Sequence, residues 1–392
     1  MKVLLLGNYA NDGQESMQRF SAFMAQGLVE AGHEVRLLRP PSVLGRLRPS
    51  CDGIGKWLGY ADKFGWFPFV LRSAIKQADV VHICDHANSF YTKYLGSVAN
   101  LVTCHDLLAV RCALGEFPEN PTRWSGRRLQ ALIVKSLSEA QHIACVSDAT
   151  RDDLRRIAGI QEDRVSRVYN SLNYPYSRME VTEVRARLRK LSVDPDQSFL
   201  LHVGGNQWYK NRLGVLRIFA LLRKITSSQT LRLVMVGKPW TTQLRRFITQ
   251  NGLSGVTLEL TAVVDEDLRA LYSTATLLLF PSLEEGFGWP IVEAQACGCP
   301  VATSNRSPMT EVAGDGAFYL DPENPATAAA VLKDALKKLA GNREAGLRNA
   351  ARFKSGMIEA YVALYEKLCS DKRALERTNQ FSAMRRRIVG RA

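Results

Sequence analysis

The chain has 392 residues, 46% hydrophobic and 23% charged, and a formal net charge of +14. That length exceeds one ordinary core, and the composition excludes a disordered or fibrous chain. The charge implies an acidic partner, and it is concentrated. Residues 39–78 carry seven basic and two acidic side chains, and residues 371–392 carry the same numbers.

In chain order, short apolar runs alternate with amphipathic ones. Strands are expected at 2–6, 34–38, 80–84, 101–104, 142–146 and 165–169, with helices near 15–31, 71–77, 126–139 and 148–157. Continuous apolar strands separated by helices imply a parallel sheet covered on both faces. Turn formers and Pro175 within 169–176 break the pattern. A second series follows, with strands near 199–203, 231–236, 256–260, 276–280 and 300–304. Helices are expected near 211–225, 241–250, 266–273, 289–297 and 324–339, and a last helix near 355–370. The predicted fold is α/β: two doubly wound Rossmann-like domains, 1–172 and 173–354, facing a cleft. The segment 355–392 is expected to cross back to the first domain and end in a basic tail.

No apolar run approaches the roughly 18 residues of a membrane-spanning helix, and the start reads as a strand rather than a signal peptide. The expected location is therefore the cytoplasm. The eight cysteines fit that, several lying in apolar strand-like runs. Cys297-Gly298-Cys299 invites a metal reading, but zinc sites usually need a second such cluster. No metal and no cofactor are expected.

The segment Pro281-Ser-Leu-Glu-Glu-Gly-Phe-Gly-Trp-Pro-Ile-Val-Glu293 carries the clearest chemistry. Gly286 and Gly288 permit close approach of a ligand to the backbone, and Pro290 suits a first helical turn. The N–H groups opening that helix favour a diphosphate. Glu293 is placed to accept from a vicinal diol such as a ribose. Glu285 lies eight positions earlier, in the loop. Either glutamate alone would read as a surface carboxylate; with the glycines and the proline the pattern is specific. After the first strand of the second series comes Val203-Gly-Gly-Asn-Gln-Trp-Tyr-Lys-Asn-Arg212, where Lys210 offers a point charge to a phosphate. Thr103-Cys-His-Asp106 ends a strand of the first series. His105 there is read as a donor to an anion, and Asp106 as its support or as a turn cap. His86 is a candidate acceptor contact, and Ser147 reads as a helix N-cap. Walker and G-x-G-x-x-G patterns are absent, which disfavours kinases and dehydrogenases. No nucleic-acid motif is present, so no nucleic-acid partner is expected.

The Glu285–Glu293 segment resembles the Glu-x7-Glu signature of retaining GT-B glycosyltransferases, in particular glycosyltransferase family 4. The likeness continues through Val301–Ser304, Glu311–Gly314 and Leu320–Pro322. It implies a metal-independent hexosyltransferase that uses a nucleotide diphosphate sugar and needs no other cofactor. The acceptor it implies is a glycan or a lipid-linked sugar of cell-surface polysaccharide synthesis. Carried over, Glu285, His105 and Lys210 take catalytic roles. Glu293, Gly286, Phe287, Gly288, Gly204, Gly205, Arg212 and Gly13 take donor-binding ones. The family's diphosphate arginine is missing, Gly205 and Tyr209 standing in its two usual places, with Arg212 as the substitute. The alternatives are a GT-B phosphorylase or sugar-nucleotide epimerase, and a non-catalytic nucleotide-sugar-binding protein. Aromatics interleaved with the basic residues of 39–78, and the tail 371–392, suggest docking on an anionic inner-membrane face.

Overall fold

The computed structural model describes residues 1–48, 53–226 and 230–389, with side chains as far as Ala374. The chain forms two compact units, Met1–Tyr169 with Gly356–Ala392, and Asn170–Ser355.

The first unit holds a six-stranded parallel sheet of β1 (Lys2–Leu6), β2 (Glu34–Leu38), β3 (Val80–Ile83), β4 (Ala99–Cys104), β5 (His142–Cys145) and β6 (Val165–Arg167), in the order β2-β1-β3-β4-β5-β6. Leu5 is flanked by Leu37 and His82 in the neighbouring strands. β3, β4 and β5 are buried along their whole length, which is why they read as unbroken apolar runs rather than alternating ones. The strand order reverses between β1 and β3. Their carboxyl ends are therefore where a ligand crevice opens in such a sheet.

The helix Met357–Val389 belongs to this unit. It is stitched to the sheet through buried polar contacts. Tyr365 Oη lies 2.6 Å from His82 Nδ1, and His82 Nε2 lies 2.7 Å from Thr103 Oγ1. Thr103 Oγ1 in turn lies 2.8 Å from Tyr361 Oη. Gly27 is the contact point with the helix Glu15–Glu30, since a Cβ there would sit 2.6 Å from Ile358.

The second unit holds β7 (Phe199–Val203), β8 (Arg232–Val236), β9 (Thr257–Leu260), β10 (Leu277–Phe280), β11 (Val301–Ser304) and β12 (Ala317–Leu320), all parallel, in the order β12-β11-β10-β7-β8-β9. This is the doubly wound nucleotide-binding order, with its switch point between β7 and β10.

Several elements differ from the sequence expectations. The helix placed at 71–77 is the end of a continuous helical stretch: Gly53–Tyr60, a π-helical turn Ala61–Trp66, then Phe67–Ile75. Four glycines and Pro68 hid it, because their intrinsic helix preference is poor and tertiary packing overrides it. β12 and the helix Val181–Lys190 were missed. The helix placed at 324–339 is two, Pro325–Ala335 and Leu339–Ala350. Arg377 and Arg385–Arg387 lie beyond the described side chains. Cys51, Asp52 and Arg391 lie outside the described residues.

Candidate functional site

In the second unit the two motif loops leave the carboxyl ends of β7 and β10, the strands that flank the switch point. They are tied together through backbone and amide groups. Leu283 N donates to Tyr209 O at 2.7 Å, and Asn211 Nδ2 donates to Pro281 O at 2.9 Å and Pro322 O at 3.1 Å. Asn211 adopts the left-handed conformation (φ 51°), which lets its Oδ1 accept from Gly214 N at 3.2 Å and open the helix Arg212–Thr226.

This frame sets Lys210 against Glu285. Lys210 Nζ lies 2.7 and 2.9 Å from the two carboxylate oxygens, a bifurcated pair with both side chains largely buried. Residues 75 positions apart are thus brought together.

Gly288, at φ 98°, precedes the helix Trp289–Ala296, whose first turn holds Pro290. Glu293 sits one turn in and is buried. Its Oε2 accepts from Tyr272 Oη at 2.9 Å. Tyr272 is fully buried, and burial keeps its hydroxyl protonated and donating. Sequence reasoning passed over Tyr272, because a tyrosine in an apolar helical run reads as core. Trp289 Nε1 donates to Ser171 O at 3.2 Å. The Phe287 side chain packs inward, edge-on to Trp289 and Phe353, so this residue offers a ligand its backbone rather than its ring.

Arg212, the expected substitute for the missing arginine, is held inside the loops. It is buried, and its Nη1 donates to Asn206 Oδ1 and to Lys238 O at the ends of the β7 and β8 loops. Its Nε and Nη2 are buried donors without an acceptor. Burial lowers its pKa, which marks the cost of a cation held there. The backbone beside it is tightly packed. A Cβ on Gly204 would lie 3.1 Å from His202 Nε2, and one on Gly237 would lie 2.1 Å from Gly204 O. Burial holds His202 neutral, with its pKa lowered to about 3.

In the first unit the carboxyl ends of β1, β3 and β4 gather Asn8, Asp85, His86 and His105, all buried. Asn8 Nδ2 donates to Asp85 Oδ2 at 2.5 Å, and His86 Nδ1 lies 3.2 Å from Asp85 Oδ1. Burial opposes the charge on both members of this pair. Their mutual attraction outweighs it, so the Asp85 carboxyl is lowered and the His86 imidazole raised. His105 differs: burial lowers its pKa and outweighs the opposing pull of Asp85 and the Cys84 carbonyl, so it is neutral at neutral pH. Its Nε2 lies 2.9 Å from Cys84 O. A carbonyl only accepts, so Nε2 carries the proton and Nδ1 presents a lone pair. This corrects the expectation that His105 donates to an anion: the free nitrogen accepts. Phe20 packs edge-on at 4.6 Å and holds the ring. Asp106 accepts from Leu108 N at 3.0 Å, so it caps the following turn rather than supporting the imidazole. Gly13 closes the turn Ala10–Asp12 in the left-handed conformation (φ 66°), with open space on its Cβ side. Ser147 is the N-cap of the helix Asp148–Ala158.

Cys297 and Cys299 are buried free thiols, burial pushing Cys299 up to about 12. Among the described residues no three His, Cys, Asp or Glu side chains are grouped to hold a metal ion. Among them no helix is long and apolar enough to cross a membrane.

The chain is thus built of two nucleotide-fold units, one carrying a Lys–Glu pair and a buried Glu at its switch point. Residues 184–354 match the model of glycosyl transferases group 1, and residues 17–174 that of glycosyltransferase family 4. The chain belongs to this family and has the GT-B fold. It is 29% identical over 274 residues to the O-antigen chain mannosyltransferase B of Escherichia coli, covering 68% of this chain and 70% of that protein. To the D-inositol 3-phosphate glycosyltransferase 2 of Catenulispora acidiphila it is 30% identical over 277 residues, covering 67% of this chain and 63% of that protein. Among solved structures it is similar to sucrose-phosphate synthase from Thermosynechococcus elongatus (TM-score 0.68, 17% identity, 98% and 100% coverage). It is equally similar to WaaG, a glycosyltransferase involved in lipopolysaccharide biosynthesis (TM-score 0.68, 18% identity, 94% and 98% coverage).

Proposed function

We propose that this protein transfers a hexose from a nucleotide diphosphate sugar to a glycan or lipid-linked acceptor, with retention and without a metal, in the synthesis of a cell-surface polysaccharide. The observation that carries the reading is the Lys210–Glu285 pair at the β7/β10 switch point, eight residues before the buried Glu293. The polysaccharide assignment is supported by the similarity to an O-antigen mannosyltransferase.

Glu293, held by Tyr272, accepts from the ribose hydroxyls. The diphosphate lies against Lys210 and the N–H groups at the start of the helix Trp289–Ala296, while the buried Arg212 braces the loop behind them through Asn206 and Lys238. These positive groups stabilise the charge that grows on the leaving phosphate, the task a divalent ion performs elsewhere. As the C1–O(phosphate) bond breaks, the anomeric carbon becomes oxocarbenium-like, and the Glu285 carboxylate stabilises it. The acceptor hydroxyl bonds to C1 from the side the phosphate leaves, and its proton passes to the departing phosphate oxygen. No enzyme nucleophile takes part. His105 Nδ1 accepts from a hydroxyl of the donor sugar.

The test is release of nucleoside diphosphate from a panel of UDP- and GDP-sugars, with and without glycan acceptors. Acceptor-dependent release that Glu285→Gln cuts at least a hundredfold supports the reading. Release indifferent to every acceptor, or to Glu285→Gln, overturns it. An inverted anomer by NMR overturns retention alone.

A further inference from the structure

In the first unit, the polar group at the carboxyl ends of β1 and β3 is built around one carboxylate, Asp85. Its Oδ1 accepts from Ala87 N at 3.0 Å and lies 3.2 Å from His86 Nδ1, while its Oδ2 accepts from Asn8 Nδ2. Asp85 O accepts from Asn88 N at 2.9 Å, so the turn after β3 folds back onto the same residue. Asn8 Nδ2 is held a second time by Gln14 Oε1. Asn8, His86 and Asn88 are all more than nine-tenths buried.

These bonds leave particular atoms open. With Nδ1 turned to Asp85, His86 has Nε2 left over for a ligand. Asn8 Oδ1 and Asn88 Nδ2 are buried without a partner. Buried amide groups left so are costly, and a ligand or an ordered water is the usual completion. The open set is mixed, because Asn8 Oδ1 only accepts and Asn88 Nδ2 only donates. A hydroxyl group does both. A phosphate dianion or a carboxylate only accepts, so it cannot satisfy Asn8 Oδ1.

The charge at this edge points the same way. The segments that follow β1, β3 and β4, residues 7–14, 84–86 and 105–107, carry the carboxylates Asp12, Asp85 and Asp106 and one cation, His86. Lys63 reaches in from the helical stretch and is paired with Asp12 at 3.0 Å. The edge therefore has no surplus of positive charge to draw in an anion. Arg39, at the end of β2, donates to Ser21 Oγ at 3.1 Å and is the rival seat for one.

We propose that Asn8, His86 and Asn88, ordered by Asp85, take the hydroxyl groups of an uncharged acceptor sugar and reject sugars that carry a phosphate or a carboxylate. This rests on the transferase reading and adds the class of acceptor to it. Binding is measured without turnover, by saturation-transfer NMR on the full chain with UDP and, separately, GDP. The probes are methyl α-mannoside, methyl α-glucoside and methyl β-galactoside, each beside its 6-phosphate and its uronate. At least one neutral glycoside should bind, at least tenfold tighter than both of its charged forms. His86→Ala should weaken that binding at least tenfold, and His86→Gln, whose amide keeps a donor, should restore it to within about threefold of wild type. If His86→Ala does not fold, the neutral-to-charged ratio of the wild type decides alone. Charged forms that bind as tightly as the neutral ones, or more tightly, overturn the proposal, and their loss in Arg39→Ala places the site at Arg39 instead. Absence of binding by every neutral glycoside overturns it too, as does binding that His86→Ala leaves unchanged. The probes are not turned over, so any of these results leaves acceptor-dependent release of nucleoside diphosphate to stand or fall by its own assay.

Discussion

Tyr272→Phe isolates one bond in the nucleotide site. The change removes the hydroxyl that reaches Glu293 Oε2 at 2.9 Å and keeps the ring, so no cavity opens. Removing one partner of a buried hydrogen bond costs about 1–3 kcal/mol. Stability in urea should fall by roughly that amount. Glu293 is the proposed ribose contact, and loss of this bond weakens the hold on its orientation. Nucleoside diphosphate affinity should then fall about threefold to tenfold, which corresponds to about 0.7–1.4 kcal/mol. The assay is calorimetric titration of UDP and GDP beside their 2′,3′-dideoxy forms. The wild type should prefer the ribo form, and the variant should lose much of that preference. Equal affinity of the wild type for both forms would refute the role of Glu293. An unchanged preference in a variant that has lost stability would refute the positioning role of Tyr272.

Gly237→Ala places a Cβ 2.1 Å from Gly204 O at φ 148°, so the β7 loop must move. A cost of about 2–4 kcal/mol in urea is expected, together with weakened nucleotide binding, and an unchanged affinity would show that the loop lies outside the site. Asp62→Ala strands three backbone N–H groups and should cost about 3–5 kcal/mol, with protease cleavage opening near 43–45; Asp62→Asn should recover part of this. Burial raises the Asp62 carboxyl, but the N–H groups of Leu44 and Gly45, the Tyr9 hydroxyl and Val43 N–H outweigh it and lower it. Its stabilisation is therefore present above the usual aspartate range and lost as pH falls below it. The histidines act at higher pH. Burial lowers His82 and His202 to about 3 and His142 to about 4. The unfolded chain takes up protons below about pH 6.5 that these three refuse when folded. Stability is full above that value and falls as pH drops toward 4, by about 1.4 kcal/mol per pH unit for each histidine, with His86 opposing because its pKa is raised. A thermal midpoint that does not fall between pH 7 and pH 5 would contradict this.

Much of the architecture was legible because buried parallel strands leave a plain trace. VVHI, HIAC and LLLF are buried on both faces and largely apolar, and turn chemistry marks the change of unit near Tyr169. The Glu285–Glu293 loop was legible for a similar reason: its glycines and proline are local requirements of a strand–loop–helix. What stayed hidden depends on partners far along the chain. Tyr272 reaches Glu293 from another helix, and Asp62 collects donors from residues 9 and 43–45. The helix 53–75 was missed because its glycines serve packing rather than propensity: a Cβ on Gly59 would lie 3.2 Å from the Tyr9 ring. The charge state of His105 needed its burial and the carbonyl of Cys84, neither of which is local.

The stitching of Tyr361 and Tyr365 to Thr103 and His82 also sets an order of events at the ribosome. The strands of the first unit are complete by Arg167, yet the helix that covers β3 and β4 begins only at Met357. All of Asn170–Ser355 is synthesised in between. At about 5–20 residues per second, the first sheet waits roughly 10–40 s for its cover. The second unit has its whole sequence first and is free to finish earlier, so the half of the protein begun first is the half completed last.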